Sequence, residues 1–231
     1  MSHLRIKTSL SCVLGPLFLI ATLPAWSVEK SKDEEILKKA GAVLQAMFAG
    51  KAVPEGLLAT ANCIIVLPGV KTFAIGVGKS GGRGPMSCRK SKNLSSGKWS
   101  APAMYTIGGA SAGVQFGGSS TDFVLLLMSP SAVDKVLAGK VKVGNDLTAA
   151  VGHEGSTGWV VGGTDIVTYG RSKGLFAGAS LNGASLEPDP GADQRLYQKA
   201  VSAREIVLDN AVQPTPAGQS LVSLLDRLGT L

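Results

Sequence analysis

The residues of this sequence that are of the types used in catalysis do not have the spacing of a catalytic motif. The run Gly76-Val-Gly-Lys-Ser-Gly81 matches the G-x-G-x-x-G pattern of nucleotide-binding loops. Such a loop must open a helix, and the segment Gly81-Gly-Arg-Gly-Pro85 cannot begin one. A P-loop would also need glycine at the position that Phe73 occupies. We therefore interpret these glycines as hairpin turns.

The histidine and the acidic residues likewise predict neither a metal site nor a catalytic site. His153 is the sole histidine after residue 27, whereas a zinc site needs several histidine or cysteine ligands. A Ser-His-Asp triad would have to use His153, which lies in a glycine-rich segment without a nucleophile-elbow motif. Asp122, Asp134, Asp146 and Asp165 lack the spacing of a calcium loop. We expect a protein that is not an enzyme and holds no cofactor or metal, with an unrecognised hydrolase that depends on His153 as the alternative.

The distribution of charge gives a stronger indication of function. The stretch from Gly56 to Thr121 contains no aspartate or glutamate, but it carries seven basic residues: Lys71, Lys79, Arg83, Arg89, Lys90, Lys92 and Lys98. Cations without counter-charges, held on turns and a polar loop, create a local field that attracts anionic partners. An anionic lipid surface contributes roughly 1 kcal/mol for each nearby basic side chain. We therefore predict that these seven residues bind an anionic phospholipid or membrane surface, with a solvated basic face as the alternative.

The first 27 residues have the pattern of a secretory signal peptide. Two basic residues precede an apolar run from Leu10 to Leu23, and Ala25-Trp-Ser27 supplies small residues at the positions that determine cleavage. We predict cleavage between Ser27 and Val28, with an uncleaved N-terminal anchor as the alternative. The rest, residues 28–231, would be a single domain exported to the periplasm or the extracellular space and peripheral to a membrane. Export disfavours nucleic acid as a partner.

Two cysteines, Cys63 and Cys88, remain after residue 27. An oxidising compartment favours a disulfide between them, which would add roughly 3 to 4 kcal/mol to stability in the chain-entropy model. In a flat three-stranded meander they would lie on strands one and three, about 9 to 10 Å apart, which is too far to bond. A bridge therefore requires that the first and third strands are neighbours or that the sheet is sharply curved.

The pattern of apolar residues predicts helices at both ends of the domain and short strands between them. Apolar residues recur at three- and four-residue steps from Glu29 to Ala49, which predicts an amphipathic helix that packs on a sheet. A membrane-surface helix with a lysine-rich face is the alternative. Turns at Pro68-Gly69 and Ser80–Gly84 and later glycines separate predicted strands at residues 63–67, 72–78, 85–89, 105–107, 112–116, 122–128 and within 147–186. Helices are predicted at residues 130–138 with Ser129 as N-cap, at 194–210, and after Thr215. This order predicts an α+β fold, a glycine-rich, mostly antiparallel curved sheet or partial barrel covered by N- and C-terminal helices.

Several segments, in the same order along the chain, resemble the SYLF-domain family. They are Cys63–Val70, Phe73–Gly78, Lys98–Pro102, Gly113–Gly117, Phe123–Met128, Tyr169–Gly178 and Ser180–Gly183. Together they span about residues 42–199, nearly the whole predicted domain. The resemblance implies binding of phospholipids, especially phosphoinositides, without catalysis. Eukaryotic members often carry a Src-homology or FYVE module and have been linked to actin.

From these features we predict an exported envelope protein that binds anionic phospholipid without catalysis. The basic turns would contact lipid phosphates, and the small-residue strand face or the N-terminal helix would contact the acyl region. A structural or protein-interaction module of the cell envelope, with a protein partner, is the alternative function. An undetected hydrolase is the second alternative.

Overall fold

The computed structural model describes residues 25–91, 94, 97–143, 149–152, 165–173, 181 and 184–230. The elements, in chain order, are α1 (Ala25–Ala49), α2 (Glu55–Thr60), β1 (Cys63–Cys88), β2 (Ala103–Leu127), α3 (Pro130–Leu137), β3 (Val141–Lys142), β4 (Ala149–Gly152), β5 (Ile166–Lys173), β6 (Ser185–Pro188), α4 (Pro190–Tyr197), α5 (Ala203–Val207) and α6 (Pro216–Leu228). Helices at both ends enclose a curled, mostly antiparallel sheet, so the predicted α+β class is confirmed. Most of the predicted signal peptide lies outside the described residues, as do His153 and Asp146.

Two long strands form the framework of the sheet. β1 pairs antiparallel with β2 from Cys63 opposite Leu127 to Met86 opposite Ala103, with register shifts after Leu67 and after Ile75. The predicted turns at Pro68-Gly69 and Ser80–Gly84 are therefore wrong, as is the division of β2 into three short strands. Because each strand has the other as a partner along most of its length, the pairing continues through the positions that were predicted as turns.

The glycines instead allow the two-stranded ribbon to bend. At the first register shift Gly69 adopts φ +57°, a conformation that favours glycine, and its N–H donates to Asp122 Oδ1 at 2.9 Å. At Gly84 a Cβ atom would lie 1.8 Å from the carbonyl oxygen of Val66, so only glycine allows this approach. The second half of β1 therefore lies directly against its first half.

The bend brings the two ends of β1 together and explains the disulfide. Cys63 and Cys88 are bonded with their Cα atoms 4.0 Å apart, and the Arg89 N–H donates to the Asn62 carbonyl oxygen at 2.9 Å. The predicted disulfide is confirmed, and the required curvature comes from the folding of one strand.

The other strands extend the sheet from the far edge of β2. β5 pairs with the second half of β2, and β6 pairs with its first half. β3 adds to β6, and β4 adds to β5 in the one parallel pairing among the described strands. The resulting order is β3-β6-β2-β5-β4, with β1 on the opposite edge of β2.

At residues 63–67 and 123–127 both faces of the ribbon are buried, because side chains alternate between two apolar clusters. Ile65 and Leu125 face a cluster that α3 and α5 cover, whereas Ile64 and Leu126 face a cluster that α1, α2, α4 and α6 cover. The apolar stripe of α1, which includes Leu44, is buried in this second cluster. The prediction that α1 packs on the sheet is confirmed, and this stripe is not free to enter a membrane. Among the described helices, none is long and apolar enough to cross a bilayer.

The structure confirms two predicted helix caps but not all of the predicted helices. Ser129 and Thr215 accept hydrogen bonds from the backbone at the starts of α3 and α6, as predicted. The single helix predicted at residues 194–210 is wrong, since α4 begins at Pro190 and ends at Tyr197. Asp189 caps α4, and Ser202 and Glu205 form a capping box that starts α5.

Candidate anion-binding surface

The structure separates the seven predicted cations by burial and by position. Four of them, Lys71, Lys79, Lys90 and Lys98, are exposed. Arg83 is partly exposed and Arg89 is buried. Lys92 lies outside the described residues. The predicted surface therefore consists of the four exposed lysines, which form two pairs.

The first pair lies where the chain leaves β1 and returns towards β2. The Lys90 N–H donates to the Lys98 carbonyl oxygen at 2.8 Å, and a β-bridge joins Arg89 to Trp99. This short ladder holds the two lysines next to each other at the open end of the folded ribbon. Neither lysine forms an ion pair with a carboxylate in the described part of the chain.

The second pair lies on β1, on either side of its bend. Lys71 is opposite Ser120 of β2, and Lys79 is opposite Ala110. Val70 contacts Gly82, so the two segments that carry these lysines converge as the strand folds back. Their cross-strand neighbours are small and uncharged, and no described carboxylate pairs with either lysine. Both pairs therefore keep a free positive charge at the surface.

Arg83 has acidic counter-charges, although the stretch from Gly56 to Thr121 that contains it has no aspartate or glutamate. Its guanidinium donates to Asp33 Oδ1 at 2.9 Å and to Asp189 Oδ2 at 2.6 Å. Asp33 is fully buried and also accepts from Arg195 Nε at 2.7 Å. These acids come from α1 and from the residue before α4, far from Arg83 in the sequence. A stretch without acids is therefore not a region without counter-charges, and we leave Arg83 out of the candidate surface.

A buried carboxyl group lies beside the charged cluster of Arg83, Asp33, Asp189 and Arg195. It was not predicted from the sequence. Asp193 is fully buried, and its Oδ1 accepts from the Met104 N–H at 2.8 Å while Oδ2 has no hydrogen-bond partner. Burial, with a smaller contribution from the nearby charges of Asp189 and Asp33, raises the pKa of Asp193 to about 8. The one sequence signal for this cluster is Asp33, an acid that precedes Leu37 by one helical turn within the apolar stripe of α1.

Arg89 lies under the open end of the ribbon and connects several elements. Its guanidinium carbon is 4.3 Å from the centre of the Trp99 ring, an arrangement that stabilises a buried cation. Its side chain donates to the carbonyl oxygens of Leu58 and Gly97. Burial lowers the pKa of Arg89, and the nearby charge of Asp226 opposes this shift. Arg89 is therefore not an exposed contact for a flat surface, contrary to its inclusion among the surface cations.

Comparison with known proteins gives a consistent family relationship. The sequence model of the Ysc84 family, described as "Las17-binding protein actin regulator", matches residues 108–228. An SH3 domain-containing protein of Schizosaccharomyces pombe is 31% identical over 194 residues, which are 78% of this chain and 44% of that protein. The SH3 domain-containing YSC84-like protein 1 of Homo sapiens is 30% identical over 203 residues, or 86% of this chain and 58% of that protein.

Protein YSC84 of Saccharomyces cerevisiae is 28% identical over 208 residues, or 86% of this chain and 42% of that protein. The chain thus spans about half the length of the curated relatives it matches. No solved structure matches it significantly.

Proposed function

The chain belongs to the Ysc84, or SYLF-domain, family, and from this premise we propose that it binds anionic phospholipid surfaces without catalysis. The observation that carries the proposal is the set of four exposed lysines without ion pairs to described carboxylates. Each pair sits on a hydrogen-bonded ladder, which fixes the backbone of its two lysines before binding and so reduces the loss of conformational entropy. The two charges of a pair near an anionic bilayer would contribute roughly 2 kcal/mol, at about 1 kcal/mol each.

We further propose that binding is peripheral and takes place outside the cytoplasm. The signal-peptide pattern of the first 27 residues supports export, and the disulfide between Cys63 and Cys88 suits an oxidising compartment. Because the apolar stripe of α1 is used in the core, the proposed contact is electrostatic and does not require insertion of that helix. Salt should therefore weaken binding, since surface charges are screened within about 10 Å at 0.1 M ionic strength.

Paired charge reversals test which lysines bind the lipid. We would measure co-sedimentation of residues 28–231, the predicted mature chain, with vesicles of phosphatidylglycerol and phosphatidylcholine. The variants are Lys90→Glu with Lys98→Glu, and Lys71→Glu with Lys79→Glu. A matched control, Lys38→Glu with Lys199→Glu, changes the net charge equally at exposed helical and loop positions.

At least one of the two test pairs should weaken binding by about tenfold or more, because reversal replaces attraction with repulsion. The control should change binding by less than about threefold. Equal losses in all three variants would show that net charge alone governs binding, and the assignment to these lysines would be rejected.

A protein partner is the second candidate function. The matching family is described as a Las17-binding protein, and several relatives contain an SH3 domain. By analogy, the outer surface of this domain would dock on a protein of the envelope. That function predicts chemical crosslinks to a defined protein and no dependence on lipid.

A further inference from the structure

A cavity of about 360 Å³ lies beside the end of β1. Arg89, Lys90 and Ser91 line it on the β1 side, and Pro130 and Asp134 line it from α3. Two leucines, Leu94 and Leu208, complete its described lining. Its volume lies in the range of pockets that hold small ligands. The cavity therefore has room for a polar headgroup.

Arg89 places a buried positive charge at this cavity. The residue is 7% exposed and forms no ion pair with a carboxylate in the described chain. Nη1 donates to the Gly97 carbonyl oxygen at 2.9 Å and Nη2 to that of Leu58 at 3.0 Å. Nε is also buried and has no hydrogen-bond partner. Removing a guanidinium from water is unfavourable, and the nearby charge of Asp226 offsets that cost only in part, so a bound anion would offset it further.

The other charged groups at the cavity leave an excess of positive charge. Lys90 is exposed and has no described carboxylate partner. Asp134 is the one carboxylate in the described lining, and its Oδ1 is already 2.8 Å from Arg204 Nη2. The ion pair of Asp134 and Arg204 is neutral as a whole. The charges of Arg89 and Lys90 therefore have no counter-charge within the cavity lining.

A second cavity on the other side of Arg89 has a different balance of charge. Its volume is about 440 Å³, and Lys98, Asp226 and Gly229 are among the residues that line it. The Asp226 carboxylate accepts from the Trp99 N–H at 3.0 Å, so this side already holds an acid. The C-terminal end of α6, which carries partial negative charge, is also there. Of the two cavities, the one that Lys90 lines is the better site for an anion.

We propose that the cavity lined by Arg89, Lys90 and Ser91 binds a single phosphate group attached to a small polar moiety. This inference rests on the proposed function, because it assigns the phosphate of a lipid headgroup to a defined cavity. The same recognition chemistry would take up free phosphate from solution. Arg89 supplies a fixed charge, Lys90 supplies a mobile ammonium at the mouth, and the serine hydroxyl group is a polar group beside them. Lys98 lines the neighbouring cavity and has no direct role.

Soluble ligands test this site separately from binding to membranes. We would titrate the ¹⁵N-labelled chain with inorganic phosphate, glycerol 3-phosphate and monomeric dihexanoylphosphatidylglycerol at constant ionic strength. The readouts are the amide resonances of Lys90 and Ser91 and the Arg89 Nε–H resonance. The test variant is Lys90→Gln and the matched control is Lys38→Gln. Both lysines are exposed, but Lys38 lies on α1 and is not in the described lining of either cavity.

A phosphate-bearing ligand should shift all three resonances, and Lys90→Gln should weaken its binding about tenfold, as expected for loss of a charge-assisted contact. Lys38→Gln should change binding less than about twofold. Tighter binding of the two organic phosphates than of inorganic phosphate would support a headgroup as the source. Equal binding would support the site and assign it to free phosphate.

If ligand concentrations up to 10 mM cause no shifts at these residues, the proposal is overturned. This range of concentration would detect even weak binding, with a binding free energy of about 4 kcal/mol. Equal effects of the two variants would also overturn it. If vesicles bind while soluble ligands do not, the cavity is rejected and the proposed function stands. If soluble ligands bind while vesicles do not, the proposed function is rejected and the cavity stands.

Discussion

Replacing Asp193 by asparagine should change how stability depends on pH. Asp193 is fully buried, and its pKa rises from 3.8 to about 8 on folding, mainly because of burial. Asparagine has nearly the same shape and keeps an oxygen that can accept from the Met104 N–H. The substitution thus removes the ionisable group with little change in packing.

The sign of the effect follows from proton binding. Between pH 4 and pH 8 the folded chain keeps the proton on Asp193, whereas the unfolded chain releases it. The folded state therefore binds more protons, and this group lowers stability as pH rises. The slope is roughly 1.4 kcal/mol per pH unit for one proton, which accumulates to about 4 kcal/mol between pH 4 and pH 7.

Urea unfolding followed by circular dichroism measures this effect. The free energy of unfolding of Asp193→Asn should be within about 1 kcal/mol of that of the unmodified chain at pH 4.5. Its advantage should then grow with pH and reach a few kcal/mol at pH 8. Asp134→Asn, which removes an exposed ion pair with Arg204, is the control, and its difference should stay below about 1 kcal/mol throughout. A difference for Asp193→Asn that is independent of pH would refute the reasoning.

Two further predictions concern the folded ribbon. Replacing Cys63 and Cys88 together by serine should lower the free energy of unfolding by about 3 to 4 kcal/mol, the loop-entropy value for a separation of 25 residues, as measured by urea unfolding. Added reductant should destabilise the unmodified chain by a similar amount and leave the stability of the double variant unchanged. Equal stability with and without the disulfide would contradict the loop-entropy value. Gly84→Ala should cost about 3 kcal/mol or more, because its Cβ would overlap the Val66 carbonyl oxygen. Gly81→Ala should cost less than about 1 kcal/mol, because its Cβ would make an ordinary contact at 3.9 Å. Equal losses of stability for the two variants in thermal unfolding would show that Gly84 is not a tight contact.

The sequence predicts the class of the fold better than it predicts the connections within the sheet. The stripe that includes Leu44 correctly placed α1 on the sheet, and the caps Ser129 and Thr215 correctly started two helices. The glycines near residues 68 and 82 were interpreted as turns, but they allow one strand to bend and contact itself. A local pattern cannot distinguish these cases, because the deciding contact between Val66 and Gly84 exists only after folding.

The charged residues of the candidate site were also predicted only in part from the sequence. The acid-free stretch predicted free cations, and four lysines such as Lys90 are indeed exposed without a described partner. Arg83 instead meets Asp33 and Asp189, which are distant in sequence, and Arg89 is buried against Trp99. Charge composition therefore predicts where cations are concentrated, whereas the fold determines which of them remain available.

Vesicle co-sedimentation of residues 28–231 tests the central claim most directly. The chain should bind vesicles that contain phosphatidylglycerol at 20 mM salt, and binding should fall at least tenfold at 300 mM salt, where the screening length shortens to about 6 Å. Vesicles of pure phosphatidylcholine should bind weakly at both salt concentrations. Absence of binding to anionic vesicles at 20 mM salt, or equal binding to both kinds of vesicle at 20 mM salt, would contradict electrostatic recognition of an anionic lipid surface.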